Sequence, residues 1–171
     1  AHTTAGVAVG VINVMGRVFM NPLDNPFDVV QREIHTVREE ASIVLVDMHA
    51  EATSEKLAMG WHLDGEVTAV VGTHTHVQTA DERVLPCGTA YITDVGMTGP
   101  HDSIIGVQVE PALRRFVNGM PSRFDTASGD VRLNAVIITV DTSTGLSSGI
   151  ERVSVSTDDV EAMASATAAI L

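Results

Sequence analysis

Three short runs of β-branched and aliphatic residues, each followed by a stretch of different character, set the architecture of this chain. Val7 to Val14 is the first, Ser42 to Met48 the second and Val67 to Val71 the third. Each is apolar through its length rather than alternating, the pattern of a strand covered on both faces. Between the first two, Asn25 followed by Pro26 reads as an N-cap with proline at the first helical position. Phe27, Val30, Ile34 and Val37 then recur at spacings of three and four, which predicts an amphipathic helix to about Glu40. Between the second and third, a polar loop from Ala50 to Ser54 leads into an expected helix from Glu55 to Leu63. Strand, helix, strand, helix, strand is the order of a layered α/β fold. The later part departs from it. Thr89 to Thr93, Arg132 to Asp141 and Ile150 to Ser156 read as strands, with turn chemistry at Thr142 to Gly145. A short helix is expected from Glu110 to Asn118 and a terminal one from Asp158 to Leu171. No repeat or linker divides the 171 residues, so one domain is expected.

Composition narrows the classes of function. Twenty-two acidic against ten basic residues give a formal charge of −12, which repels a phosphate backbone and argues against RNA or other nucleic acid as a partner. A small phosphorylated ligand would need a local attractor, and a bound metal ion is one. No apolar stretch reaches the length needed to cross a bilayer, and no basic segment followed by an apolar one marks a secretory signal. The single cysteine, Cys87, lies in a Leu-Pro-Cys-Gly turn and fits a reducing, cytoplasmic setting.

The chemistry-bearing residues gather at strand ends. Asp47-Met48-His49-Ala50-Glu51 closes the second run, and Gly72-Thr73-His74-Thr75-His76 follows the third. In an open α/β sheet, ligands bind at the carboxyl ends of strands. If the two strands are neighbours, His49, His74 and His76 meet at one edge, and imidazole suits Zn, Fe, Mn-type and Ni ions, with carboxylates favouring the harder ones. The plainer alternative is that the His-x-His is a polar turn. Asp47 reads either as an acceptor that orients a histidine or as a turn former. Glu51, Asp94 and His101 are candidates to approach a substrate, each with an ordinary loop role as its alternative. His35 reads as solvated and His62 as a packing residue at a helix end.

These residues carry a resemblance. The stretch DMHAEATSEKLAMGWHLDGEVTAVVGTHTHVQTADERVLPCGTAYITDVGMTGPHDSIIG resembles the bacterial YmdB-like metallophosphoesterases, as do VINVMGRVFMNPLDNPFD and RFDTASGDVRLNAVIITVD. The similarity runs from about Val11 to Val153. Gly72 to His76 corresponds to the Gly-x-His-x-His signature of calcineurin-like phosphoesterases. The resemblance implies a four-layer αββα sandwich with mixed sheets. It also implies a site for two divalent or mixed-valence ions (Fe, Mn or Zn) and hydrolysis of cyclic nucleotides such as 2',3'-cAMP, a small phosphodiester substrate. His49 and His74 match the ligands of one ion and His76 a ligand of the other. A homo-oligomer is expected. The family's Gly-Asp, Gly-Glu-Asn and Gly-Asn-His motifs, which supply further ligands and the proton donor, do not occur here, and Gly129-Asp130 in a late hairpin is no substitute. The chain therefore reads as the C-terminal portion of such a domain, with no catalytic proton donor of its own. The alternatives are a non-catalytic fragment or metal-binding module, and a purely structural domain. A His-x-His amidohydrolase barrel is disfavoured because such barrels run to roughly 250 residues.

Overall fold

The structure, a computed structural model, describes residues 1–168. Its element order is β1 (Val9–Met15), α1 (Pro26–Arg38), β2 (Ile43–His49), α2 (Thr53–His62) and β3 (Ala69–Thr73), then β4 (Arg83–Val84), β5 (Ala90–Ile92) and β6 (Gly99–Pro100). α3 (Val109–Asn118), β7 (Val131–Asp141), β8 (Leu146–Ser156) and α4 (Thr157–Ala168) complete it. The five-stranded sheet has the order β1-β2-β3-β5-β4, with every pair parallel except β4–β5. A second, antiparallel sheet has the order β6-β7-β8.

The expected α/β alternation is present, and its physical cause is visible. Asn25 caps α1, accepting the Phe27 amide, and Pro26 sits in the first turn. Val30 and Ile34 of α1, Met59 of α2 and Leu63 at its C-cap cluster with Val44, Val46, Met48 and Val70 to form the core. On β5, Tyr91 faces α2, where its ring leaves no room for a side chain at Gly60. Ala90 and Ile92, on the opposite face, are also fully buried. The β7–β8 hairpin packs against β4 and β5. Its turn is tied down by Thr68, whose hydroxyl donates to the Gly145 carbonyl and whose carbonyl accepts from the Ser147 hydroxyl. Helices thus cover one face of the parallel sheet and the second sheet covers part of the other. The outer side of β7 is open, with Leu133 50% and Ile137 58% exposed, so the described residues do not form a closed four-layer sandwich.

Several boundaries differ from expectation. β3 runs on through Gly72 and Thr73, so Thr73 is a strand residue and the histidine turn begins only at His74. β8 starts at Leu146 rather than Ile150 because the four-residue turn at Thr142 to Gly145 lets pairing begin at once. β4 and β6 were not expected, since two residues carry no periodicity. α4 is present to Ala168, and the expected extension to Leu171 lies outside the described residues. No helix among them is long and apolar enough to cross a membrane.

Candidate metal centre

Parallel pairing brings three strand ends to one edge. Met15 of β1 pairs with His49 of β2, and His49 with Thr73 of β3. Two residues earlier Asn13 pairs with Asp47. Positions i and i+2 of a strand share a face, so Asn13, Asp47, His49 and Thr73 stand together on the sheet face opposite the helices. They form one hydrogen-bond chain. The Asn13 amide donates to Asp47 Oδ2 at 2.8 Å, and the Thr73 hydroxyl donates to Asp47 Oδ1 at 2.8 Å. Having given its only proton away, Thr73 Oγ1 must accept from His49 Nδ1, 3.0 Å distant. That fixes the tautomer of His49 and leaves its Nε2 lone pair facing His74.

The other two histidines are held in the same manner. His74 Nε2 lies 2.9 Å from the Glu51 carboxylate, and His74 Nδ1 lies 3.0 Å from His49 Nε2. His76 Nδ1 lies 3.0 Å from the Ile105 carbonyl, an acceptor only, so Nδ1 carries the proton and Nε2 is free. Each imidazole therefore has one nitrogen held by an oxygen of the protein. The remaining nitrogens are His49 Nε2, His74 Nδ1 and His76 Nε2. All three residues line a cleft of about 230 Å³ together with Thr73, Asp94, Gly96 and Met97. The turn that presents them is strained: His74 has φ 116° and His76 φ 66°, and Ile105, which accepts from His76, has φ 47°. Left-handed backbone at a non-glycine residue costs about 1–3 kcal/mol and persists where the surroundings impose it.

The surroundings here centre on Asp94. Its carboxylate accepts from Lys56 Nζ at 2.8 Å, from the Thr75 amide at 2.9 Å and from the Gly96 amide at 2.9 Å. Thr75 is the residue between the two histidines, so one buried carboxylate ties α2 to the histidine turn and to the next loop. Lys56 and Asp94 side chains are 0% and 1% exposed. Burial alone would push the Asp94 carboxyl up; the Lys56 ammonium and the Thr75 and Gly96 amides outweigh it and hold the group below its ordinary range. Gly72, just before the turn, has no room for a Cβ, which would overlap the Thr93 carbonyl.

The geometry sorts the sequence candidates. His49, His74, His76 and Glu51 come together at one sheet edge. Asp94 lines the cleft, but its oxygens are occupied as a clamp. His101 spends both ring nitrogens on its own neighbourhood, Nδ1 toward the Gly99 carbonyl at 3.0 Å and Nε2 toward the Asn134 amide at 3.1 Å. His35 is exposed, and His62 packs edge-on against Phe27 with ring centroids 5.4 Å apart. Asp47 reaches His49 only through Thr73. Lys56, Thr73 and Asn13 were not singled out from sequence. Lys56 alone gave a signal there, a charge three and seven residues before Met59 and Leu63 on the buried stripe of α2.

The donor set fits half of a metal centre. Imidazole nitrogens bind such ions at about 2.0–2.1 Å, and two bonds of that length at a tetrahedral angle hold the nitrogens about 3.3 Å apart. The 3.0 Å separation of His49 Nε2 and His74 Nδ1 needs to open by only a few tenths of an ångström. Yet among the described residues no group of three or more His, Cys, Asp or Glu is arranged to hold a metal ion by itself.

The model of the YmdB-like protein family matches residues 1–153. The chain belongs to the YmdB-like family. It is 50% identical over 153 residues to a 2',3'-cyclic-nucleotide 2'-phosphodiesterase of Bacillus subtilis (strain 168), a match covering 90% of this chain and 58% of that protein. Among solved structures it resembles a hypothetical protein from Thermus thermophilus, with TM-score 0.83 and 45% identity, over 90% of this chain and 60% of that one. It also resembles a novel phosphatase from Mycoplasma pneumoniae, with TM-score 0.76 and 39% identity, over 85% of this chain and 52% of the other. The chain thus spans little more than half the length of these YmdB-like relatives.

Proposed function

We propose that the chain is the histidine-bearing part of a metal-dependent phosphodiesterase that hydrolyses cyclic nucleotides such as 2',3'-cAMP. The observation that carries this reading is the set of three imidazoles, each held through one nitrogen and offering the other to a single cleft. Metal-binding histidines are characteristically oriented this way by an oxygen on the far nitrogen. The name of the Bacillus relative supplies the substrate class. His49 and His74 would hold one ion and His76 would contribute to a second, with Fe, Mn or Zn as the ion in each. When bound, two ions supply positive charge to the phosphate oxygens and activate the attacking water. This chain's residues orient and support. Thr73 and Asp47 lock the His49 tautomer, Glu51 fixes the His74 ring, and Asp94 with Lys56 holds the turn. The local charge of the ions offsets the acidic surface where the anion binds. A homo-oligomeric state and a cytoplasmic setting belong to the same proposal.

A second reading is a non-catalytic metal-binding module, favoured by the lack of a third ligand at the His49–His74 pair among the described residues. Metal analysis combined with a 2',3'-cAMP hydrolysis assay separates the two. Turnover with metal content that falls in both His74→Ala and His76→Ala supports the phosphodiesterase; one ion or none, without turnover, supports the module. Unchanged metal stoichiometry in both variants would defeat the ligand assignment.

A further inference from the structure

The loop between β1 and α1 carries a residue that the fold does not use. Phe19 is 90% exposed and sits at φ 61°. Exposure forgoes the burial that an aromatic ring ordinarily contributes, and left-handed backbone at a bulky residue is unfavourable in itself. The conformation is imposed from both sides. The Gly16 amide donates to the His49 carbonyl at 2.9 Å. The Arg17 and Val18 amides donate to the buried Glu55 carboxylate at 2.9–3.2 Å. Beyond Phe19, Met20 Sδ accepts the Glu51 amide at 3.3 Å. Glu51 is the residue whose carboxylate meets His74. The loop that carries the ring is therefore tied to the histidine edge on both sides, by the Gly16 amide at the His49 carbonyl and by the Met20 side chain at the Glu51 amide. A cleft of about 400 Å³ lies along the same loop, lined by Arg17 and Glu55 as well as by Val18, Met20, Pro22 and Leu23.

We propose that Phe19 is the stacking platform for the nucleobase of the substrate, with the phosphodiester seated at the histidine cleft. This rests on the cyclic-nucleotide reading above. An exposed aromatic face on a loop tied to the histidine edge suits a base of any identity, because every base presents a π-face. The platform would therefore raise affinity for nucleotides over base-free phosphates while discriminating little between purines and pyrimidines by hydrogen bonding.

The test uses Phe19→Ala and Phe19→Trp in the full 171-residue chain with manganese present, and three probes: 2',3'-cAMP, adenosine and inorganic phosphate. Both variants should fold as the parent does, since the side chain is solvent-exposed. Stacking on an aromatic is worth enough that Phe19→Ala should weaken 2',3'-cAMP binding roughly 5- to 100-fold and leave phosphate binding unchanged. In Phe19→Trp the affinity should be kept, and the added indole emission, after subtraction of the Trp61 signal of the parent, should be quenched by 2',3'-cAMP and by adenosine but not by phosphate. Quenching by adenosine without any phosphate binding upholds the platform while the phosphodiesterase reading fails. Equal loss of all three probes in Phe19→Ala overturns the platform, as does an indole silent toward both nucleoside probes, whatever the phosphate arm shows.

Discussion

Replacing Lys56 by Met should cost this protein much of its stability although Lys56 touches no ligand. The ammonium is fully buried and its partner carboxylate nearly so, at 2.8 Å. Methionine keeps the length and apolar stem of the side chain, so little packing is lost. What remains is a buried Asp94 carboxylate with only the Thr75 and Gly96 amides as donors. Breaking a buried pair from one side costs about 3–5 kcal/mol. For a chain of this size 1 kcal/mol corresponds to roughly 2–4 °C in Tm, so the expected fall is about 6–20 °C. Urea denaturation at neutral pH would read the same loss as a lower midpoint at constant slope. The acid limb adds an independent arm. Asp94 titrates below its ordinary value of 3.8 in the folded protein, so its ionised form contributes stability above that pH, and the contribution fades as pH falls through the depressed value. Without Lys56 the depression shrinks, so the stability gap between Lys56→Met and the parent should narrow as pH falls through that range. A double-mutant cycle with Asp94→Asn should show positive coupling, because the two groups share one interaction. A Lys56→Met midpoint within about 0.5 kcal/mol of the parent, a change typical of exposed sites, would refute the clamp.

Two further outcomes follow from the same edge. Gly72→Ala places a methyl group against the Thr93 carbonyl, which belongs to main chain and cannot swing away; a loss of about 1–3 kcal/mol or more is expected from overpacking, read by urea denaturation, with a parallel fall in metal affinity because the histidine turn starts there. Thr73→Val removes the hydroxyl between His49 and Asp47; loss of such an orienting partner should weaken metal binding about 10- to 100-fold in a metal titration while the melting temperature changes little.

The difference between what was legible in the sequence and what was not is a matter of range. Asn25-Pro26 and the spacing from Phe27 to Val37 announced α1 because capping and amphipathicity are local. Gly72 to His76 stood out as a histidine turn because its two imidazoles are near neighbours in sequence. Asp47 was recognised as a possible orienting group, but its route to His49 through Thr73 depends on the β2–β3 register, which no local pattern encodes. Asp94 and His101 looked alike as polar residues beside an apolar stretch and a glycine-rich loop. Only packing shows that one is a buried clamp and the other braces the β6–β7 junction through Gly99 and Asn134. β4 and β6 were invisible for the related reason that two residues form a strand only because a longer neighbour offers a hydrogen-bonding edge.

The sequence by itself determined the α/β order, the three histidines and the family they resemble. Those rest on periodicity, caps and contiguous motifs, all carried by residues a few positions apart. The tertiary structure decided which nitrogen of each histidine faces the cleft, which carboxylate is a support, and that the Phe19 ring stands exposed on a loop bonded to His49 and Glu51. Those depend on oxygens contributed by residues far away in the chain, Asp94 to Lys56 and Ile105 to His76 among them. Hydrogen bonds fix a ring's orientation only once folding has brought donor and acceptor within about 3 Å.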